Sequence, residues 1–444
     1  MFLYEVPLTS SMKFIGRDEE LSHFEDRYRS GKAEFLIVYG RRRVGKTSFL
    51  LKFAENKKSI YLLARETTTE ENLRRFSEVV STSLNDSFLK LNPFVSWDAL
   101  FSYFSSAKER LLLIIDEYPH LTADRSLAST LQEHWDRSLS KTALFLVLCG
   151  SSVSAMSKLM SRESPLYLRR TGQLEIRPFP FREATLFFPA YKNVDKAIAY
   201  AILGGMPSYL SQFDEKLSIR ENLNRAVRRD SILYNDAEYI LKEDFREVRN
   251  YFSLLEAISM GRSKPQDIMS YAGQDKGTFS KYIHVLTQLH IVRRVAPYDS
   301  RRKFIYTIAD NYIRFWFRYI QRNKEMAEAD RTKELVDLIL MDLPNYMGKA
   351  FEGMVSEYMT SNICQNPQPW WHKGAEIDIV CSSGNVTVLA EVKWSVLSEG
   401  EVMKSIGELD AKSGFVKGRK KLLIFCRSSS SKMAITLDDM LSFS

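Results

Sequence analysis

The sequence is poor in the residues that build zinc sites and disulfide frameworks. It has 4 cysteines and 6 histidines among 444 residues. The cysteines, at positions 149, 364, 381 and 426, form no C-x-x-C pair and accompany no histidine cluster. Such isolated cysteines are typical of proteins that are kept reduced in the cytoplasm. We therefore expect a cytoplasmic protein with neither a zinc site nor a disulfide framework.

Long hydrophobic runs are also missing. No stretch reaches the roughly eighteen consecutive apolar residues of a membrane-spanning helix. The first eleven residues lack a basic start and an apolar run, so we expect no signal peptide. The composition, 45% hydrophobic and 27% charged, is that of a globular protein, and the length predicts about two to four domains. A net charge of +8 permits nucleic-acid binding without requiring it.

What the sequence does contain is a phosphate-binding motif. Residues 40–47 have the pattern G-x-x-x-x-G-K-T, after an apolar run at 35–39 that predicts a strand and before an amphipathic helix. The glycines let backbone N–H groups surround an anion at the helix N-terminus. In this motif the lysine reaches the β- and γ-phosphates, and the threonine hydroxyl binds Mg²⁺. The three arginines exceed what phosphate needs, and an acidic partner, DNA or solvent would account for them. The predicted nucleotide-binding residues are Gly40, Arg41, Arg42, Arg43, Val44, Gly45, Lys46, Thr47 and Ser48.

A second apolar run, residues 111–115, ends in two carboxylates. Its continuous hydrophobicity predicts a strand buried on both faces of a parallel sheet. The carboxylates follow at the carboxyl end of that strand, where ligands of open α/β sheets bind. We expect Asp116 to hold the Mg²⁺ shell and Glu117 to activate the attacking water. The alternative is that the two acids merely cap the next helix.

Two later segments add candidate phosphate contacts. The apolar run at 143–149 predicts another strand, and Ser151 follows it at the same sheet edge. Its hydroxyl would sense the γ-phosphate, although an ordinary loop serine fits the pattern equally well. Arg169 and Arg170 precede a strand-like segment at 174–176. They would contact phosphate within the chain, reach a neighbouring subunit of an oligomer as arginine fingers, or face solvent.

Residues 247–307 have the outline of a winged helix-turn-helix. Three helical segments precede two short strand-like segments, as in that motif. Winged helices bind double-stranded DNA or serve as protein–protein modules, and the sequence leaves both alternatives open. The residues predicted to face a DNA groove are Thr278, Ser280, Lys281 and His284, with Arg301 and Arg302 of the wing on phosphates.

Acidic residues and a lysine concentrate again near the C-terminus. Residues 376–380 alternate like a half-buried strand, and a following strand carries Glu391 and Lys393 on one face. A hairpin would place Asp378 beside them, where two carboxylates and a lysine hold Mg²⁺ and orient water towards a phosphodiester. With Glu352 as a further metal ligand on the preceding helix, this order resembles the core of PD-(D/E)xK nucleases. A hairpin with a charged solvent face is the alternative.

Taken in order, these motifs resemble one family. The segment Phe14–Glu20, the phosphate-binding loop, the acidic strand, Gly205-Met-Pro207, the winged helix and the E-x-K strand occur together in the archaeal-type ATPases. These are P-loop proteins of the AAA+/STAND group with a C-terminal nuclease-like domain of uncharacterised function. The resemblance implies ATP and Mg²⁺ as ligands. It also implies that Gly16, Arg17 and Pro207 lie against the adenine, although a capped surface helix and a sharp turn would explain these residues too.

The expected fold is multidomain α/β. It comprises a P-loop ATPase core with a parallel sheet (1–190), a helical lid (191–245), a winged helix-turn-helix (246–320) and a restriction-endonuclease-like α/β domain (321–444). We expect a Mg²⁺-dependent ATPase that acts as a conformational switch. Its output would be either metal-dependent cleavage of double-stranded DNA or non-cleaving binding of DNA or protein.

Overall fold

The computed structural model describes residues 14–106, 108–244, 247–300, 302–372 and 374–442. The chain divides into two compact units, Met1–Arg177 and Pro178–Ser444. The domain boundaries that were expected after residues 190 and 320 stay predictions. The predictions for the first eleven residues, for the lid boundary at 245–246 and for Arg301 lie outside the described residues. Within the described ranges, no helix combines the length and apolarity needed to cross a membrane.

The first unit is built on a parallel sheet of five strands. The elements of this unit are α1 (Asp18–Arg29), β1 (Glu34–Tyr39), α2 (Lys46–Ala54), β2 (Ser59–Leu63), α3 (Thr69–Leu84), α4 (Ser87–Leu91), α5 (Trp97–Ser105), β3 (Leu111–Asp116), α6 (Ser126–Arg137), β4 (Leu144–Gly150), α7 (Val153–Leu159) and β5 (Gly172–Glu175), with 3-10 turns at Tyr118–Leu121 and Leu139–Lys141. The strand order in the sheet is β2-β3-β4-β1-β5. All six residues of β3 are buried, as its continuous apolar run predicts.

Helices cover both faces of this sheet. On one face, Leu146 and Leu148 of β4 belong to a buried cluster with α3, α5 and α6. On the other face, the ring centroid of Phe145 lies 6.1 Å from that of Phe24 on α1 and 5.4 Å from that of Phe53 on α2. Successive residues of a strand point to opposite faces, so one apolar run serves both layers. The carboxyl ends of β1, β4 and β3 meet at one edge, and the phosphate-binding loop, Asp116, Glu117 and Ser151 follow these ends.

The second unit is mostly helical up to residue 362 and then forms a mixed sheet. Its elements are α8 (Phe181–Ala184), α9 (Asn193–Leu203), α10 (Pro207–Leu210), α11 (Ile219–Ala226), α12 (Ile232–Asp244), α13 (Val248–Ser259), α14 (Pro265–Ala272), α15 (Lys276–Gln288), β6 (Val292–Val295), β7 (Ile305–Ile308), α16 (Asn311–Phe315), α17 (Lys324–Glu328), α18 (Thr332–Asn362), β8 (Gln365–His372), β9 (Ala375–Ser383), β10 (Val386–Leu397), α19 (Glu399–Lys412), β11 (Arg419–Ser429), β12 (Ala434–Thr436) and α20 (Leu437–Ser442), with 3-10 turns at Thr185–Phe187, Gln321–Asn323 and Ser413–Phe415 and a π-turn at Trp316–Ile320.

Two substructures of this unit contain residues for which a function was predicted from the sequence. Helices α13, α14 and α15 are followed by the antiparallel pair β6–β7, the order of elements that was expected for the winged helix. After the long helix α18, strands β8, β9 and β10 pair antiparallel, and β10, β11 and β12 pair parallel. Helix α19 connects the parallel strands β10 and β11, because adjacent parallel strands need a long crossover connection.

The cysteine prediction was wrong in one respect. Cys364 and Cys381 form a disulfide, with their Cα atoms 6.1 Å apart, whereas Cys149 and Cys426 are free and buried. The antiparallel pairing of Gln365 with Ser382 brings the two cysteines together. Their spacing in the sequence did not reveal this proximity, because the register of β8 on β9 is a long-range property. The cysteines therefore no longer support a reducing compartment.

Candidate functional site

The loop after β1 passes so close to β5 that only glycine fits at its start. A Cβ atom on Gly40 would lie 2.2 Å from the carbonyl oxygen of Ile176, and the φ angle of Gly40 is +155°. Gly45 (φ 94°) then turns the chain into the N-terminus of α2. The loop amides and the dipole of a helix that begins here favour an anion. The predicted cradle for phosphate is therefore formed by the backbone.

Lys46 lies across this loop. It is only 6% exposed, and its ammonium donates hydrogen bonds of 2.9 Å to the carbonyl oxygens of Gly40 and Arg41. These bonds position the positive charge beside the loop amides. Of the three arginines, Arg41 is buried, whereas Arg42 and Arg43 are exposed. A surface role is thus open to the last two.

The Asp116 carboxylate is buried and accepts several hydrogen bonds. It is 2% exposed, and its Oδ2 atom accepts a hydrogen bond of 3.0 Å from the Thr47 hydroxyl. The Tyr61 hydroxyl donates to the same oxygen, and the backbone N–H of Glu117 donates to Oδ1 at 2.8 Å. Burial, and then the negative charge of Asp116, raises the pKa of the Tyr61 phenol, which therefore stays protonated. The structure brings together the two residues that were expected to share one Mg²⁺ ion.

Tyr61 was missed in the sequence. It lies on β2, whose last residue, Leu63, pairs with Asp116 in the parallel ladder. Nothing in the local pattern indicates which strand will neighbour β3, so a tyrosine two residues before the end of β2 carried no signal. Only the strand order places its phenol at the acidic end of β3.

Glu117 is held by the serine that was predicted as a γ-phosphate sensor. Its Oε2 atom accepts hydrogen bonds from the Ser151 hydroxyl at 2.8 Å and from the Ser151 N–H at 3.3 Å. Glu117 itself has a left-handed backbone (φ 51°), which a non-glycine residue rarely adopts and which is frequent at functional sites. The structure therefore places Ser151 against the predicted base, and its contact with phosphate stays a prediction.

Other predicted residues of the first unit have structural partners. Arg17, beside Gly16 (φ 66°), is 6% exposed and forms an ion pair of 3.0 Å with Glu20. Arg169 pairs with Asp136 on α6 at 3.0 Å, and Arg170 donates to the side chain of Gln173 at 3.0 Å. Pro207, in the second unit, is the first residue of α10. Adenine contacts and an arginine finger stay predictions.

A second group of charged residues lies at β9 and β10. Burial raises the pKa of Asp378 to about 7; a hydrogen bond of 2.8 Å from the Val392 N–H opposes the shift, and the charges of Glu352 and Glu391 add to it. Asp378 is therefore within electrostatic reach of both other predicted carboxylates. Within the described residues, however, no group of three or more His, Cys, Asp or Glu side chains is arranged to hold a metal ion. The metal-binding role stays a prediction.

The basic residues around these carboxylates have other partners. Lys393 donates a hydrogen bond of 2.9 Å to the Ser405 hydroxyl on α19. Glu391 instead pairs with Lys412 at 3.4 Å, and Glu352 pairs with Lys349. Each predicted site residue except Asp378 thus bonds to a side chain outside the predicted set. Sequence reasoning missed Lys412, because its proximity depends on how α19 packs.

Most of the residues predicted to face a DNA groove are exposed on α15. Ser280, Lys281 and His284 on α15 are exposed. The Thr278 hydroxyl donates to Asp275 at 2.6 Å, the Ser280 hydroxyl donates to the Lys276 carbonyl at 2.8 Å, and Lys281 pairs with Glu247 at 3.6 Å. The loop between β6 and β7 makes different contacts. The Tyr298 N–H donates to the Pro369 carbonyl at 2.9 Å, and the Trp370 indole donates to Asp299 at 2.9 Å. This loop is therefore hydrogen-bonded to the C-terminal sheet.

The donor set at the first site fits ATP with Mg²⁺. Loop amides and an ammonium suit phosphate oxygens, and a hydroxyl beside a carboxylate offers the hard oxygen ligands that Mg²⁺ prefers. Consistent with this, residues 14–213 match a family described as an ATPase domain predominantly from Archaea. Residues 194–309 match a domain of unknown function, and residues 316–405 match a family of archaeal and bacterial proteins of unknown function.

The chain is also similar to individual proteins. The chain is 32% identical over 419 residues to an uncharacterized protein of Methanocaldococcus jannaschii, covering 91% of this chain and 92% of that protein. A segment of 45 residues is 53% identical to an uncharacterized ATP-binding protein of the same organism, covering 10% of this chain and 76% of that protein. The fold is similar to a Walker-type ATPase of Pyrococcus abyssi (TM-score 0.52, 19% identity, 69% of this chain and 96% of that one). The predicted multidomain α/β fold is confirmed, and the chain belongs to the archaeal-type P-loop ATPases.

Proposed function

We propose that the protein hydrolyses ATP with Mg²⁺ and uses its nucleotide state as a conformational switch. The observation that carries the proposal is the hydrogen bond from Thr47 to Asp116. Since the hydroxyl proton points to the carboxylate, the oxygen lone pairs of Thr47 remain free for a metal ion. Lys46 and the loop amides would hold the β- and γ-phosphates of ATP. The bound Mg²⁺ would neutralise charge on the phosphate oxygens.

Glu117 would act as the base in this reaction. A water molecule attacks the γ-phosphorus, the bond from that phosphorus to the β–γ bridging oxygen breaks, and the Glu117 carboxylate accepts the proton of the water. Ser151 would orient this carboxylate through its two hydrogen bonds. Products are ADP and inorganic phosphate. In the switch, Pro207 and the helices around it would transmit the nucleotide state to the winged helix.

The Lys46→Ala variant tests the site directly. We expect ATP affinity to fall on the order of a hundredfold, because a charge-assisted contact to phosphate is lost. Lys52→Ala is the matched control, since Lys52 is on the same helix but pairs with Glu55 at 2.7 Å. Binding is measured by calorimetry on the full chain. Unchanged ATP affinity in Lys46→Ala would refute the proposed site.

For the output we propose metal-dependent cleavage of double-stranded DNA by Asp378, Glu391 and Lys393. Burial is the main cause of the raised pKa of Asp378, and the charges of Glu352 and Glu391 add to it, so two other carboxylates are near enough to support this function. Purified protein is incubated with plasmid and Mg²⁺ or Mn²⁺, with and without ATP. Cleavage that persists in Asp378→Ala would contradict the assignment.

The second candidate output is a non-cleaving platform for DNA or protein. It is favoured by the hydrogen bond from Lys393 to Ser405 and by the one from Lys412 to Glu391, since these partners lie outside the predicted site. No cleavage with either metal, together with ATP-sensitive binding of DNA, would support it. Charge reversal at Lys281, which is exposed on α15, should then weaken binding, and unchanged affinity would exclude this face.

A further inference from the structure

Both carboxylates at the end of β3 are held by hydroxyl groups from the two neighbouring strands. In the sheet, β3 lies between β2 and β4. Tyr61 of β2 donates to Asp116, and Ser151, which follows β4, donates to Glu117. The two acids are thus oriented from opposite sides. Ser151 is already part of the proposed mechanism, whereas Tyr61 has no role in it.

The contact of Tyr61 is specific in its geometry. In the ladder Tyr61 pairs with Ile114 and Leu63 pairs with Asp116, so the phenol extends along the strand direction to reach the carboxylate. It donates to Oδ2, the same atom that accepts from Thr47. Oδ2 therefore accepts from two side-chain hydroxyls, and Oδ1 accepts from the backbone N–H of Glu117. Rotation of the carboxylate about the Cβ–Cγ bond is therefore restricted.

We propose that Tyr61 is a positioning residue that sets the metal-binding geometry of Asp116 and Thr47. By fixing Oδ2, the phenol fixes the direction of the Thr47 hydroxyl proton, and with it the direction of the oxygen lone pairs. Without the phenol, Oδ2 loses one of its hydrogen-bond donors, and the carboxylate is held less firmly. The inference rests on the proposed role of Asp116 and Thr47 in binding Mg²⁺.

The consequence is a selective loss of metal-dependent affinity. Lys46 and the loop amides bind phosphate without Mg²⁺, and none of the hydrogen bonds described for Lys46 involves Tyr61. Removal of the phenol hydroxyl should therefore weaken nucleotide binding in Mg²⁺ and leave binding in a chelator unchanged. A purely structural role would alter both affinities together.

The test is the affinity of a non-hydrolysable ATP analogue for full-length wild type and Tyr61→Phe, measured by calorimetry with Mg²⁺ and with a chelator. We expect affinity in Mg²⁺ to fall on the order of tenfold, the effect of one hydrogen bond to a charged group. Tyr103→Phe is the matched control, because Tyr103 donates to Asp86 at 2.8 Å in the same unit, and both of its affinities should equal those of wild type.

The pattern of losses distinguishes a positioning role of Tyr61 from a structural one. Equal losses with and without Mg²⁺, or no loss in either condition, would overturn the role of Tyr61. Tyr61→Phe could lower the melting temperature more than Tyr103→Phe does. In that case we measure the Mg²⁺ concentration that gives half-maximal nucleotide binding, at a temperature below both unfolding transitions. This measurement replaces the comparison at a single Mg²⁺ concentration. If the affinity of the wild-type protein for the ATP analogue does not depend on Mg²⁺, the proposed role of Asp116 in metal binding is contradicted. This outcome is distinct from a failure of the role of Tyr61.

Discussion

The two charged sites of this chain use similar side chains in opposite ways. In the first unit, Thr47, Asp116, Glu117 and Ser151 bond to one another at the end of a parallel sheet. In the second unit, carboxylates and lysines are also close, but Lys393 bonds to Ser405, and Glu391 bonds to Lys412. A site whose members orient one another needs little rearrangement to bind its ligand. The proposed ATP site has this property, whereas the proposed second site would first have to exchange partners.

The sharpest test of this contrast is Glu117→Gln. The amide keeps the size of the side chain but cannot accept the proton of water, so we expect ATP hydrolysis to fall about 10²–10⁴-fold. ATP binding should persist, because the phosphate contacts are elsewhere. Turnover and analogue affinity are measured on the same preparation. Hydrolysis at the wild-type rate would mean that another group is the base, and Glu391→Gln is the control that should leave ATP turnover unchanged.

Loss of the disulfide should affect one unit only. A double Cys364→Ser and Cys381→Ser variant opens a loop of 17 residues, which corresponds to about 3 kcal/mol of unfolding free energy. Denaturant unfolding with and without an ATP analogue assigns the transitions, since the ligand stabilises the unit that binds it. We expect the transition of the second unit to move and that of the first to stay. A shift of the ATP-stabilised transition would show that the units are energetically coupled.

The sequence predicted those parts of the molecule whose chemistry lies in consecutive residues. The loop at 40–47, the apolar run before Asp116 and the helix–strand–strand order around Asp378 are local patterns of spacing and periodicity. The contact of Tyr61 with Asp116, the Cys364–Cys381 bond and the position of Lys412 beside Glu391 depend on strand order, register and helix packing. These arise from pairings between distant segments, for which a single sequence has no periodic signal.

Burial of Asp378 should make stability depend on pH. Its folded-state pKa of about 7 exceeds the usual value of 3.8 for an aspartate, so the folded state binds the proton more tightly. The contribution of Asp378 to the free energy of unfolding is complete below about pH 4 and is lost as the pH rises through 7. Three pKa units correspond to roughly 4 kcal/mol, of which solvent relaxation leaves about 2. Unfolding free energies of wild type and Asp378→Asn between pH 4 and 8 check this. Asp378→Asn should flatten the profile, and Glu376→Gln, an exposed neighbour on β9, should not.

The smallest expected effect concerns the partner exchange at the second site. Lys412 pairs with Glu391 at 3.4 Å and so competes with a metal ion for that carboxylate. In Lys412→Ala, Glu391 is free to turn towards Asp378, and Mn²⁺ affinity should rise by about threefold to tenfold, the value of a partly exposed ion pair. Lys404→Ala is the control, because Lys404 lies on the same helix and pairs with Glu408 at 3.9 Å.

Binding of Mn²⁺ is followed by its paramagnetic signal in the presence of ADP and excess Mg²⁺, which occupy the ATP site. If Lys412→Ala binds Mn²⁺ no better than wild type, Lys412 does not restrain the second site, and its carboxylates are separated by the fold itself. That result would favour the non-cleaving platform. Tighter binding, lost again in the double variant with Asp378→Ala, would place both carboxylates on one ion. The two sites of the chain would then differ in their resting partners and not in their chemistry.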